Sequence, residues 1–133
     1  MPDTVDGRFD MLSTVLSLFL LRLEEDGAKK ESVMLTELFI DDMDRSLREI
    51  GVGDFVVGKR VGKLVSALGG RLGALRDAFA GGAPLEEIVR RNVFRGGGED
   101  GEVAFVSQGL RALRRRLAAT EREHLLRGEL GRE

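Results

Sequence analysis

The chain has 133 residues, of which 42% are hydrophobic and 33% are charged, and its formal net charge is -2. This length and composition predict one globular domain that buries enough surface for a single core. Cysteine is absent and there is one histidine, which excludes disulfides and thiolate chemistry and argues against a closed structural zinc site.

The first predicted element is a helix over residues 8–25, which Thr4 or Asp6 can cap. Its main apolar face holds Phe9, Leu12, Val15, Leu16, Phe19, Leu20 and Leu23. Met11, Leu18 and Leu21 lie on the far side, so this helix is apolar nearly all round. Two interpretations follow: other helices cover these three residues, or they form a hydrophobic contact surface for a partner.

The same segment contains the longest apolar run, residues 11–21, which is too short for a membrane span and includes Ser13, Thr14 and Ser17. The acidic N-terminus and the lack of a small-residue cleavage site argue against a secretory signal. We therefore expect a cytoplasmic protein, at most peripheral on the cytoplasmic face of the inner membrane.

Two long helices are predicted next, over residues 31–50 and 55–80, and the turn Gly51-Val52-Gly53 joins them. So short a turn predicts an antiparallel hairpin in which Gly51 or Gly53 has a positive φ. On the solvated face of the first of these helices, acid-before-base spacing predicts the pairs Asp41–Arg45 and Asp44–Arg48.

A band of small residues follows the apolar stripe of the second long helix, at Gly58, Gly62, Ser66, Gly69 and Gly73. Each interior glycine costs a helix about 0.5–1 kcal/mol relative to alanine, so some compensation is expected. The band predicts close approach of a neighbouring helix; the alternative is a docking groove for a partner helix.

The remaining elements are a fourth helix over residues 85–95, a mobile loop over 96–102, and a fifth helix from Val103. The only candidates for strands are the short runs 55–57 and 103–106. We therefore predict an all-α fold: a single helical domain of about five helices, spanning residues 1–128, with the antiparallel hairpin at its centre. Residues 129–133 are expected to fray.

Charge differs between the two parts of the chain: residues 1–58 contain 13 acids and 6 bases, and residues 59–133 contain 10 acids and 15 bases. A uniformly basic DNA-binding protein is therefore disfavoured. The arginine cluster within residues 111–116 is interpreted as a solvated face, with contact to lipid head groups or RNA phosphates as the alternative.

Patterns that could carry catalysis are weak. Residues 53–59 have the glycine and lysine spacing of a P-loop, but Arg60 stands where a hydroxyl should hold magnesium. Asp41, Asp42 and Asp44 diverge on a helix, and His124 has no nucleophile partner. We expect no enzyme activity, no cofactor and no metal site.

Three stretches, PDTVDGRFDML at 2–12, DMDRSLREIGVGDFVVGKRV at 42–61 and RRNVF at 90–94, resemble the ubiquinol-cytochrome c chaperone family as it occurs in proteobacteria. The resemblance implies an assembly chaperone for respiratory complex III, not an enzyme. It also implies cytochrome b, or another complex III component, as the partner. Contact with ribosomes or an anionic membrane surface is left open, as is the oligomeric state.

The resemblance is densest in charged residues flanking the turn, where packing does not require them. We therefore predict a partner-binding surface made of Asp44, Arg45, Arg48, Gly51, Gly53, Asp54, Lys59 and Arg60. The alternative function is a generic helical interaction module, an adaptor or regulator without a cytochrome client.

Overall fold

The computed structural model describes residues 5–121, and the side chains from residue 9 onward. Within this range the chain forms five α-helices and no strand. They are α1 (Val5–Glu25), α2 (Lys29–Glu49), α3 (Asp54–Phe79), α4 (Leu85–Asn92) and α5 (Asp100–Ala118). The all-α prediction is confirmed, and the two strand candidates, residues 55–57 and 103–106, lie within α3 and α5.

One core joins four of the helices. Its buried residues come from α1, the end of α3, α4 with the residues after it, and α5: Leu18, Leu23, Leu75, Leu85, Ile88, Val89, Val93, Phe94, Val103, Leu110 and Leu117, with Ala28 from the α1–α2 connection. Leu18 and Leu21, on the far side of α1 from its main apolar face, are 2% and 4% exposed. Other helices therefore cover these two residues, as the first of the two interpretations proposed.

The contacts between α2 and α3 are those of a helical hairpin. Phe39, Ile40 and Met43 of α2 share a crevice with Val61, Leu64, Val65 and Leu68 of α3. Between residues 41 and 67 the only buried side chains are Met43, Leu47 and Val57, and none belongs to the core cluster. We call residues 41–67 the hairpin arm, because it packs mainly on itself.

Glycine determines where the hairpin turns. The Gly51 amide donates to the Arg48 carbonyl at 3.0 Å and the Val52 amide donates to the Leu47 carbonyl at 3.1 Å, which is the Schellman ending of a helix. Gly51 has φ +88°, a conformation that costs other residues energy. Of the two glycines predicted for this role, Gly51 fills it.

Two boundaries differ from the sequence prediction. Helix α4 ends at Asn92 and not at residue 95, because Arg95 adopts φ 51°, outside the helical range. Helix α5 begins at Asp100, three residues earlier than expected, because Glu99 and Glu102 form a reciprocal capping box at its start.

The glycine-rich connection over residues 96–102, predicted to be mobile, is held by α4. Arg90 donates to the carbonyls of Gly97 and Gly98, at 3.1 and 2.7 Å, and pairs with Asp100. The predictions for His124 and for the tail 129–133 lie outside the described residues.

Candidate functional site

The eight residues predicted to bind a partner lie together at the far end of the hairpin arm. We call them the hairpin rim: Asp44, Arg45, Arg48, Gly51, Gly53, Asp54, Lys59 and Arg60. All are exposed except Asp44, which is half-buried. The turn brings the end of α2 beside the start of α3, so the charged groups of both helices share one surface.

Arg48 joins the two helices across the turn. Its guanidinium donates to the carboxylates of Asp44, four residues back in α2, and of Asp54, at the start of α3. Hydrogen bonds with Asp44, and then with Asp54, raise the pKa of Arg48 above its usual value. The Asp44–Arg48 prediction is confirmed, and Arg48 also pairs with Asp54, so this exposed trio links α2 to α3 across the turn.

The second predicted pair is wrong. Arg45 lies 3.6 Å from Asp42, three residues back, and forms no ion pair with Asp41. Both side chains are about two-thirds exposed, so this ion pair contributes little to stability. The amino group of Lys59 lies 5.8 Å from the centre of the Phe55 ring, and Arg60 forms no ion pair within the described part of the chain.

The small-residue band of α3 has no close neighbour in the described part of the chain. A Cβ added at Gly58, Gly62, Gly69 or Gly73 would meet no atom within 4 Å. Within residues 5–121, the prediction that a neighbouring helix of the same chain closes on this band is therefore wrong. The glycines lower the helix propensity of α3, and no packing among the described residues requires them.

Buried small polar residues occur on α1 instead. Ser13, Thr14 and Ser17 are 1%, 3% and 0% exposed, and each hydroxyl donates to the carbonyl four residues back in its own helix. They lie on the same face as Asp10, at helical spacings of three, four and seven residues. With their hydroxyls satisfied inside α1, these short side chains can be buried without an unpaired polar group.

A buried ionic cluster that sequence reasoning missed links three elements. The Asp10 side chain is 4% exposed, and its carboxylate accepts from Arg71 of α3 at 2.6 Å and from Arg95 after α4 at 2.7 Å. Arg95 reaches it from the left-handed conformation that ends α4. Two features of the sequence could have indicated this cluster. Asp10 lies among apolar and small residues of α1, and the motifs at 2–12 and 90–94 contain or adjoin Asp10 and Arg95.

The arginine cluster of α5 also has structural partners. Arg111 lies 2.7 Å from Glu86 of α4, and Arg114 lies 3.6 Å from Glu25 and 4.5 Å from the centre of the Phe79 ring. The hydrogen bond with Arg111 lowers the pKa of Glu86. Two of the four arginines therefore connect α5 to other helices and are not simply a solvated face.

The remaining candidate sites can be described by their geometry. Residues 54–59 are helical, and the Val57 amide donates to the Gly53 carbonyl at 2.9 Å, so this stretch forms no phosphate-binding loop. Among residues 5–121, no group of three acidic or histidine side chains is placed to hold a metal ion. No helix in that range is both long enough and apolar enough to cross a membrane.

Comparison with known families gives a match that spans nearly the whole chain. The family model described as ubiquinol-cytochrome C chaperone covers residues 1–132, nearly the whole chain. The chain belongs to this family. No match was found among curated proteins or among solved structures.

Membership of the ubiquinol-cytochrome c chaperone family gives the two clusters a context. The hairpin rim lies within the stretch 42–61, Asp10 lies in the stretch 2–12, and Arg95 directly follows the stretch 90–94. Because Asp10 is buried and the rim is exposed, the first is suited to holding the fold and the second to meeting another molecule.

Proposed function

We propose that this protein is an assembly chaperone for respiratory complex III that binds newly synthesised cytochrome b through the hairpin rim. The observation that carries this proposal is the family match over residues 1–132. The protein acts by holding its client and not by catalysis, and it does so on the cytoplasmic side of the inner membrane.

The geometry of the arm supports the rim as the contact surface. The rim is exposed, lies at the end of an arm outside the core, and presents acidic and basic groups on both helices. Polar rims that remain hydrated in the free protein give an interface specificity and faster association. Arg45, Lys59 and Arg60 are suited to this role because none of them ties α2 to α3.

The test is capture of the client from native membranes with the tagged protein, comparing the wild type with a rim variant. This variant replaces four exposed bases by alanine: Arg45, Arg48, Lys59 and Arg60. A matched control removes four exposed bases elsewhere: Lys29, Lys30, Arg76 and Arg91. A cytochrome b deletion strain gives the background.

We expect the wild type and the control to enrich cytochrome b and the rim variant to lose it. Exposed ion pairs contribute about 0–1 kcal/mol each to the free energy of unfolding, so the Tm of the rim variant should change little. Equal capture by both variants would show that the rim is ordinary solvated surface. Enrichment of a soluble protein by the wild type, with no cytochrome b, would favour the adaptor function.

A further inference from the structure

The exposed face of α3 next to the turn combines large apolar side chains with cations. Phe55 is 80% exposed and Val56 is 43% exposed, and Ile50, just before the turn, is 70% exposed. Lys59 and Lys63 are exposed one and two helical turns after Phe55. An aromatic side chain this exposed contributes almost nothing to the core and costs free energy in water.

Five of the residues on this face of α3 form a set that we call the lipid face: Phe55, Val56, Lys59, Arg60 and Lys63. They lie on the same side of the helix, because at 100° per residue they span a sector of about 140°. No carboxylate in the described part of the chain forms an ion pair with its three bases. Their charge is therefore available to an external anion.

Beyond Lys63, the exposed side of α3 carries no acidic residue until Asp77, in the last turn of the helix. From Phe55 to Arg76 the sequence has no acidic residue. Ser66, Ala67 and Gly70 continue the exposed side beyond Lys63 with short uncharged side chains. Apart from Asp54 at the start of α3, which pairs with Arg48, the acids of the arm lie on α2, where Asp41, Asp42 and Glu49 are exposed. The arm therefore has a cationic, apolar side and an acidic side.

We propose that the lipid face docks on an anionic membrane surface, with α3 toward the bilayer and α2 away from it. Basic residues beside exposed Phe and aliphatic side chains are the pattern of helices that lie in the membrane interface. The aliphatic side chain of Val56, beside the Phe55 ring, fits acyl chains, whereas stacking on nucleic-acid bases would need further aromatic residues. This inference depends on α3 alone and not on the identity of the client.

The test uses the purified full chain and vesicles of phosphatidylcholine, with or without phosphatidylglycerol, in a co-sedimentation assay. We expect binding to the anionic vesicles only, weakening as salt is added. Replacing Lys59, Arg60 and Lys63 by alanine should weaken vesicle binding about 100-fold, since each base near an anionic surface raises the binding constant about fivefold.

A control with the same change in net charge, Lys29→Ala with Lys30→Ala and Arg91→Ala, should bind like the wild type. Phe55→Ala keeps every charge and should weaken binding about tenfold without changing the Tm, since its ring is 80% exposed. Absence of binding to anionic vesicles at low salt would overturn the proposal. So would equal losses in the triple variant and the control, or full binding by Phe55→Ala.

The lipid face shares Lys59 and Arg60 with the hairpin rim, so the two proposals are separated by residues that belong to only one. Arg45→Ala with Arg48→Ala should leave vesicle binding unchanged. Phe55→Ala with Lys63→Ala should weaken it. If this second pair leaves vesicle binding intact but abolishes capture of ribosomes or of a protein, the face takes that partner and the membrane proposal is wrong.

Discussion

The Asp10 carboxylate and the Arg95 guanidinium lie 2.7 Å apart although 85 residues separate them in the chain. Arg71 approaches the same carboxylate from α3, so a single buried acid joins the first helix, the third helix and the segment after the fourth. Burying a charge is costly unless it is paired, and here two cations share one anion.

We predict that Asp10→Ala destabilises the fold by about 3 kcal/mol, because it leaves the mostly buried Arg71 without its partner. Urea unfolding followed by circular dichroism measures the loss. Arg95→Ala should cost under about 1 kcal/mol, since the Arg95 side chain is 61% exposed.

The double variant Asp10→Ala with Arg71→Met should recover part of the stability that Asp10→Ala loses, because no unpaired buried charge remains. If the double variant is less stable than Asp10→Ala by the full cost of Arg71→Met alone, the two residues are not coupled.

The two glycines of the hairpin turn form a matched pair for a second prediction. Gly51→Ala should cost about 1–2 kcal/mol, because Gly51 has φ +88°. Gly53, the N-cap of α3, has φ -71° with no atom near a Cβ, so Gly53→Ala loses only the N-cap preference for glycine and should cost under about 1 kcal/mol. Thermal unfolding of the two variants measures both changes in stability. Equal changes in Tm would contradict the assignment of the positive-φ position to Gly51.

The open small-residue band gives a third prediction. Gly62→Ala and Gly69→Ala should each stabilise the protein by about 0.5–1 kcal/mol, because both positions are helical and unobstructed. Thermal unfolding tests this. If the variants gain stability and still capture the client, the band has no docking role. A gain in stability with loss of capture would support the partner-helix groove that the sequence left open.

A fourth prediction concerns acid. The hydrogen bond with Arg111 holds the pKa of Glu86 below its ordinary value of 4.5. The ion pair therefore stabilises the folded state fully at pH values above 4.5. This stabilisation is lost as the pH falls through the lowered pKa. Both side chains are more than one-third exposed, so we expect under about 1 kcal/mol at neutral pH.

A double-mutant cycle with Glu86→Gln and Arg111→Ala, measured by urea unfolding at neutral pH and in acid, would report the coupling between these residues. The coupling should fade in acid. A coupling that stays constant with pH would show that the contact does not depend on the charge of Glu86.

Local patterns in the sequence predicted most of the helices well. Apolar spacing placed α2 and α3 within two residues of their observed ends, and the glycine at position 51 marked the turn. Helix length and turn chemistry depend on neighbouring residues, which a single sequence displays directly.

The pairing of Asp10 depends instead on residues 61 and 85 positions away, and no local pattern specifies such partners. The glycines of α3 were misread for a related reason. A row of small residues shows that a helix can be approached closely, but not that anything in the same chain approaches it. The arrangement of other helices decides that, as it does for Arg111 and Glu86.

The separation of the hairpin arm from the core has a consequence for how the protein opens. With three buried side chains between residues 41 and 67, amides there should exchange with solvent through local opening, at a lower free energy than those of α1 or α5. A client or a bilayer that engages the arm would therefore slow exchange where the free protein is least protected. Amides in the rest of the molecule would exchange as before. Binding to the arm would therefore be measured as a rise in the free energy of local opening of residues 41–67 alone.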